Sequence, residues 1–284
     1  MLMTKKQKPT LTAPKWLKTV FKLLEICSPF LASRLASRLF FIPIRFKTPA
    51  IEQKIYEKAV KSSLMFQKRR IKLYEWGTSN KGVLLVHGWA GRATQVGHLA
   101  QPLVDAGFKV YAFDAPAHGY SSGKQTNLME FTELIKLLVK KNSDIHSIIG
   151  HSMGGTASIY GLYQGVKISK CVIIGTPAYT DWILSSFCKQ INVSTKVEHL
   201  IKTYIENKFN KSFEELNNSS MVKTLKSKGL IIHCKDDVDC FYKDAVTIHE
   251  NWKNSTLVLT KNLGHRRILR NTDTTKTIVD FLKS

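Results

Sequence analysis

The stretch Ser147-Ile148-Ile149-Gly150-His151-Ser152-Met153-Gly154-Gly155 decides how this chain is read. An apolar strand runs into a serine flanked by glycine two places before and two places after, and a helical pattern then runs from Gly154 to Gln164. A side chain on so sharp a strand-to-helix turn has a crowded backbone, which is why small residues are needed on both sides. The turn lifts the hydroxyl clear of the sheet. It also aims a helix N-terminus and the Met153 N–H at charge developing on a carbonyl oxygen. Ser152 is the candidate nucleophile. The five-residue pattern alone recurs by chance, and its place between a buried strand and a helix is what gives it weight.

Toward the N-terminus, His87-Gly88-Trp89-Ala90-Gly91 follows directly on the apolar run Val83-Leu84-Leu85-Val86. A glycine-containing turn at the end of a central strand presents a main-chain N–H to the same crevice. Trp89 would be that donor beside Met153, each worth ~3 kcal/mol to an oxyanion. The plainer alternative leaves His87 and Trp89 as turn and core residues. Toward the C-terminus, Cys234-Lys235-Asp236-Asp237-Val238-Asp239 follows the strand Leu230–His233 and offers three candidate carboxylates. His265, in Asn262-Leu263-Gly264-His265 just past the strand Thr256–Thr260, is the candidate base. An imidazole needs a carboxylate to fix its tautomer and aim its ring, and the order Ser152, Asp237, His265 is the one such a sheet demands. His118 and His151 read as structural, since neither follows the last strand.

From Ile71 onward, short apolar runs alternate with helical stretches, which predicts an α/β fold with a mostly parallel sheet. The strands are Gly82–His87, Lys109–Asp114, Ser147–Gly150, Lys170–Gly175, Gly229–His233 and Thr256–Thr260, with Ile71–Trp76 as an earlier antiparallel one. Helices are expected over Thr94–Ala106, Thr126–Lys140, Gly154–Gln164 and Asp239–Trp252. About fifty residues separate Thr176 from the next strand, so Pro177–Lys228 reads as helices inserted over the carboxyl edge of the sheet.

Residues 1–70 read as a separate basic arm and 71–284 as the main domain, with 177–228 as its helical cap. Residues 1–14 read as a polar tail. Trp16–Cys27 and Leu31–Phe41 read as helices, punctuated by Pro29 and Pro43. Leu17, Val20, Phe21 and Leu24 recur at helical spacing in the first; Leu31, Leu35 and Leu39 line up in the second, beside Arg34 and Arg38. Residues 1–72 hold 17 Lys/Arg against 3 Asp/Glu, the greater part of a net charge of +22. Such helices either pack on the main domain or lie on a surface, which makes peripheral contact of residues 1–50 with an anionic membrane one expectation. Nucleic acid is not the expected partner, because no recognition motif accompanies the charge. No apolar run reaches the ~20 residues of a membrane span, and lysines interrupt any leader-like core, so the expected compartment is the cytoplasm. The 5 cysteines show neither disulfide nor metal-ligand spacing, and no metal or other cofactor is expected.

The pieces His87-Gly88-Trp89, Asp114 to Ser121, Gly150 to Gly155, Asp237 and Gly264-His265 resemble the α/β-hydrolase superfamily over about residues 70–284. The resemblance selects Asp237 over Asp236 as the acid, because the family usually places it four residues beyond the histidine that ends the strand. Where the family often has Val-Pro, this chain has Cys240-Phe241. Gly88 to Arg92 together with Gly264 to Leu269 look like one bacterial branch of that superfamily. The resemblance implies hydrolysis of a small-molecule acyl substrate, an ester or thioester, through an acyl-enzyme on a Ser152–His265–Asp237 triad. A peptidase of the proline-iminopeptidase type would use the same triad and would want acidic groups from the insertion; Glu198, Glu206, Glu214 and Glu215 are available. A cofactor-free haloperoxidase-like activity is more remote, and a non-catalytic binding protein on the same fold is the rival from another class.

Overall fold

The computed structural model describes residues 13–284; of the tail expected over 1–14, residues 1–12 lie outside it. The centre is one eight-stranded sheet: β1 (Val60–Phe66), β2 (Arg69–Trp76), β3 (Gly82–Val86), β4 (Lys109–Phe113), β5 (Ile145–His151), β6 (Lys170–Ile174), β7 (Lys228–Cys234) and β8 (Ser255–Thr260). Their spatial order is β1-β2-β4-β3-β5-β6-β7-β8. The β1–β2 and β2–β4 pairs are antiparallel and every other pair is parallel. Central strands are unbroken apolar runs because both faces are covered. In β3, Leu84 and Val86 enter one core while Val83 and Leu85 enter the other.

The first core is closed by α6 (Leu128–Lys141), α7 (Met153–Tyr163) and α11 (Tyr242–Asn251), through residues such as Phe131, Leu134, Ile159 and Trp252. Helix α6 presents Phe131, Leu134, Ile135 and Leu138 at helical spacing, and the Asn127 side chain accepts the Glu130 N–H at its start. The second core is closed by the short helices α4 (Ala93–Val96) and α5 (Ala100–Asp105) and by α13 (Thr272–Lys283), with Leu99, Leu103, Ile278 and Leu282 inward.

The sheet begins earlier than residue 71. Helix α3 (Ala50–Lys58) and β1 both lie in the stretch read as arm, and β1 pairs with β2 through a turn at Gln67-Lys68 with φ values of 47° and 62°. Tight hairpins with positive φ at both turn positions usually carry Asn-Gly or Asp-Gly, and β1 is largely exposed. Neither the turn residues nor an apolar alternation marked it.

Between β6 and β7 the insertion forms α8 (Asp181–Ile191), α9 (Thr195–Phe209) and the short α10 (Asn218–Met221). Helices α1 (Lys15–Cys27) and α2 (Pro29–Phe40) share a third core with it, in which Phe21, Ala32, Ala36 and Phe41 meet Leu184, Ile191, Val197 and Ile201. Helix α2 meets the cap with its small residues and not with its leucine line. It buries Ala32, Ser33, Ala36 and Ser37, while Leu31 and Leu35 face outward. The serines are buried without penalty because Ser33 Oγ donates to the Phe30 carbonyl and Ser37 Oγ to the Ser33 carbonyl. No helix of the described residues is long and apolar enough to cross a membrane.

Candidate active site

Ser152 occupies the turn from β5 to α7 with φ 52° and ψ −120°. For a residue with a side chain this costs about 1–3 kcal/mol. Hydrogen bonds hold it there: Ser152 N–H donates to the Ile174 carbonyl at 2.8 Å, and the Ser152 carbonyl accepts the Gly155 and Thr156 N–H groups. The flanking glycines are steric necessities. A Cβ at Gly150 would stand 2.5 Å from the Gly154 carbonyl oxygen, and one at Gly154 would collide with the carbonyl oxygen of Val86.

The loop after β3 lies against the serine, since a Cβ on Gly88 would be 3.0 Å from Ser152 Cβ. Two buried histidines clamp that loop to the loop after β4. His87 Nε2 accepts the Ala115 N–H at 3.0 Å, so its proton sits on Nδ1 and donates to the Gly88 carbonyl at 2.7 Å. His118 Nε2 accepts the Ala90 N–H and its Nδ1 donates to the Pro116 carbonyl, both at 3.0 Å. Burial pushes both imidazoles below their ordinary pKa, so they stay neutral as this pattern requires. Asp114 completes the clamp by accepting the Ala93 N–H and the Tyr74 hydroxyl, each at 2.8 Å. Trp89 and Met153 line the cavity in front of Ser152, and their N–H groups bond no other described residue.

Of the three carboxylates after β7, Asp237 reaches His265: its Oδ2 lies 2.7 Å from His265 Nδ1. Its Oδ1 accepts the N–H groups of Asp239 and Cys240 at 2.9 Å each. Burial pushes the Asp237 carboxyl up, but hydrogen bonds from His233 and His265 and the charge of the latter outweigh it and hold it well below the usual range. Asp236 does a different job, accepting the Asn262 N–H at 2.6 Å and so tying down the loop that carries His265. Asp239 lines the cavity beside Arg266. Asp237, Asp239 and His265 also bring one potential ligand atom each within 4.8 Å. The oxygens of Asp237 are already taken by its N–H donors, so this donor set does not fit a metal.

Three further side chains brace the candidate base: His151, read as structural, and His233 and Cys234, for which the sequence suggested no role at the site. His233, wholly buried at the end of β7, directs Nε2 at the Cys240 carbonyl at 3.0 Å and at Asp237 Oδ2 at 3.3 Å. Cys234 Sγ accepts the N–H groups of Leu263 and Gly264 at 3.3 and 3.1 Å. His151 donates from Nε2 to the His265 carbonyl at 2.8 Å, and burial together with neighbouring His265 pushes its pKa down to about 3. The one sequence signal was position: each ends a parallel strand at its carboxyl edge.

Ser152 and His265 open on one cavity of about 520 Å³, within the usual range for small-molecule sites. Its far walls are apolar: Leu128 and Met129 from α6, Phe187 and Phe209 from the cap, and Phe40 and Phe41 from the end of α2. The arm thus contributes to the site, which its sequence did not suggest. None of Glu198, Glu206, Glu214 and Glu215 lines it; Glu198 accepts the Ser185 hydroxyl and Glu206 the Phe213 N–H.

Solved structures of the same architecture include an esterase of Pyrococcus furiosus, with a TM-score of 0.63 and 22% identity over 85% of this chain and 98% of that one. The thioesterase domain of the curacin biosynthetic pathway aligns at TM-score 0.59 and 16% identity, over 80% of this chain and 99% of its own. A bromoperoxidase of Bacillus anthracis aligns at TM-score 0.60 and 19% identity, over 80% of this chain and 100% of its own. These likenesses establish the α/β-hydrolase fold. Among curated proteins, a monoacylglycerol lipase of Mycolicibacterium smegmatis is 41% identical over 102 residues, which is 33% of this chain and only 36% of that protein. The family model described as serine aminopeptidase, S33, matches residues 77–273, and the chain belongs to that family of α/β hydrolases.

Proposed function

We propose that this protein hydrolyses carboxylic esters with an extended apolar acyl group, through an acyl-enzyme on Ser152. The observation that carries the reading is the 2.7 Å bond between Asp237 and His265 at the cavity onto which Ser152 opens. With Nδ1–H donated to Asp237, the Nε2 of His265 is left as the acceptor for the serine proton. Ser152 Oγ attacks the carbonyl carbon, and the N–H groups of Trp89 and Met153 receive the oxyanion. His265 then returns the proton to the departing alcohol. Water activated by the same imidazole cleaves the acyl-enzyme, releasing the acid and restoring the serine. Thioesters fit the same machinery.

The cavity wall favours an acyl chain over a peptide. An aminopeptidase must hold a substrate ammonium, yet the cavity offers Asp239 alongside the cations Lys189 and Arg266; Lys211 on its wall is paired with Glu215, and none of the cap glutamates lines it. The partial likeness to a monoacylglycerol lipase points the same way.

A fluorophosphonate probe should label the native protein and leave Ser152→Ala unlabelled. In a series of p-nitrophenyl esters kcat/KM should climb with acyl length, while aminoacyl p-nitroanilides turn over far more slowly. Continued labelling of Ser152→Ala would remove the serine from its role, and faster turnover of the anilides would make the enzyme a peptidase.

A further inference from the structure

Ten of the nineteen large apolar side chains exposed among the described residues fall between Trp16 and Phe46. In α1, Trp16, Val20, Leu23 and Cys27 all face solvent, and at 3.6 residues per turn they lie within about 60° of one another. Ile26 is the most exposed large apolar residue of the helix at 74%. Lys15, Lys22 and Lys18 follow beyond Ile26, about 80–140° round the helix from the stripe, while Leu17, Phe21 and Leu24 turn inward to the cap. Helix α2 repeats the arrangement. It spends its small residues on packing and exposes Phe30, Leu31 and Leu35, with Arg34 and Arg38 set among them.

A helix that only covers the cap would have its large apolar residues inward and its cations outward. Here the outward surface carries both, which is the composition of a helix lying in a bilayer interface. We infer that the outer face of α1–α2 docks this protein on an anionic lipid surface, with the apolar stripe among the acyl chains and the flanking lysines and arginines at the headgroups. Charge complementarity selects this occupant. A second copy meeting the same face in a two-fold contact would set lysine against lysine, and nucleic acid would satisfy the cations while leaving the stripe unpaired. The basic excess of +14 within residues 1–72 supplies the long-range attraction. Because α2 ends in Phe40 and Phe41 on the cavity wall, a docked membrane would sit within about one helix diameter of the acyl site.

Co-sedimentation of the full chain with vesicles tests the inference without reference to catalysis. Binding is expected to phosphatidylcholine–phosphatidylglycerol vesicles, to weaken with added salt, and to be at least tenfold poorer on phosphatidylcholine alone. Trp16→Ser/Leu23→Ser/Ile26→Ser and Lys15→Glu/Lys18→Glu/Lys22→Glu should each cut partitioning, the latter by roughly fivefold per removed cation. Both leave turnover of a short soluble ester and the thermal midpoint unchanged, so a failure of docking is distinct from a failure of the hydrolase reading. Loss of the tryptophan emission shift in Trp16→Phe would report the contact directly. Three results would overturn the proposal: no vesicle binding by the native chain, binding indifferent to both triple variants, or a native dimer that the serine variant converts to monomer. A DNA gel shift abolished by the glutamate variant, with no vesicle binding, would reassign the face to nucleic acid.

Discussion

Asp237 accepts from His265, from His233 and from two main-chain N–H groups. It is therefore fixed in position and kept ionised, both of which a carboxylate that orients an imidazole requires. Asp237→Asn should preserve the fold and lower kcat by ~10⁴-fold, because an amide stabilises the wrong tautomer of the base. His265→Ala should cost at least ~1000-fold in steady-state turnover. His233 works at one remove, donating to the Cys240 carbonyl and leaning on Asp237 Oδ2. His233→Leu leaves that carbonyl unpaired, which should cost about 1–3 kcal/mol in denaturant unfolding and lower kcat with little change in KM. An unchanged kcat would make His233 a core residue and no more.

At the scale of elements, several contacts join the N-terminal segment to the site. Glu52 on α3 receives Arg92 Nε at 2.6 Å and the Thr94 hydroxyl at 3.0 Å, and both Glu52 and Arg92 are buried. Breaking such a pair strands a charge in the interior, so Glu52→Ala should destabilise by about 3 kcal/mol in urea unfolding. Helix α2 meets α9 through its alanines and serines, and Ala36→Leu should overpack that contact by about 1–3 kcal/mol. A neutral result would mean that the arm is held elsewhere. Arg45 adds a fastening of another kind, donating to the carbonyls of Ala117, Gly119 and Ser121 in the loop after β4.

Over the whole molecule, the buried histidines set how stability responds to acid. His87, His118 and His151 all have pKa values lowered by burial, the last to about 3, against an ordinary value of 6.5. The unfolded chain therefore binds more protons than the native one as pH falls below 6.5, and the slope of stability with pH is positive there. Each histidine contributes up to about 1.4 kcal/mol per pH unit. The thermal midpoint should fall steadily from pH 6.5 toward pH 4, and His118→Gln should flatten the slope. Asp237 acts in a lower window. Its depressed pKa gives stability that is complete above the ordinary aspartate value of 3.8 and is lost only below it.

Much of this was written locally. The runs Val83–Val86 and Ile148-Ile149 are apolar on both faces because helices cover both sides of the sheet, and that periodicity is independent of which strands become neighbours. The crowding of the turn at Ser152 likewise shows in its glycines. Sequence could not choose among Asp236, Asp237 and Asp239 by chemistry, since all three are equivalent until the loop folds and one faces His265; the choice of Asp237 came from family resemblance. Nor did it reveal β1, whose residues are mostly exposed and whose turn is Gln67-Lys68, or that Phe40 and Phe41 wall the cavity in front of Ser152. Helix α2 shows the division most clearly. The sequence determined a helix with a leucine side and a small-residue side, but whether leucine or alanine faces the cap depends on how closely α9 approaches, a property of the partner surface that no local pattern contains.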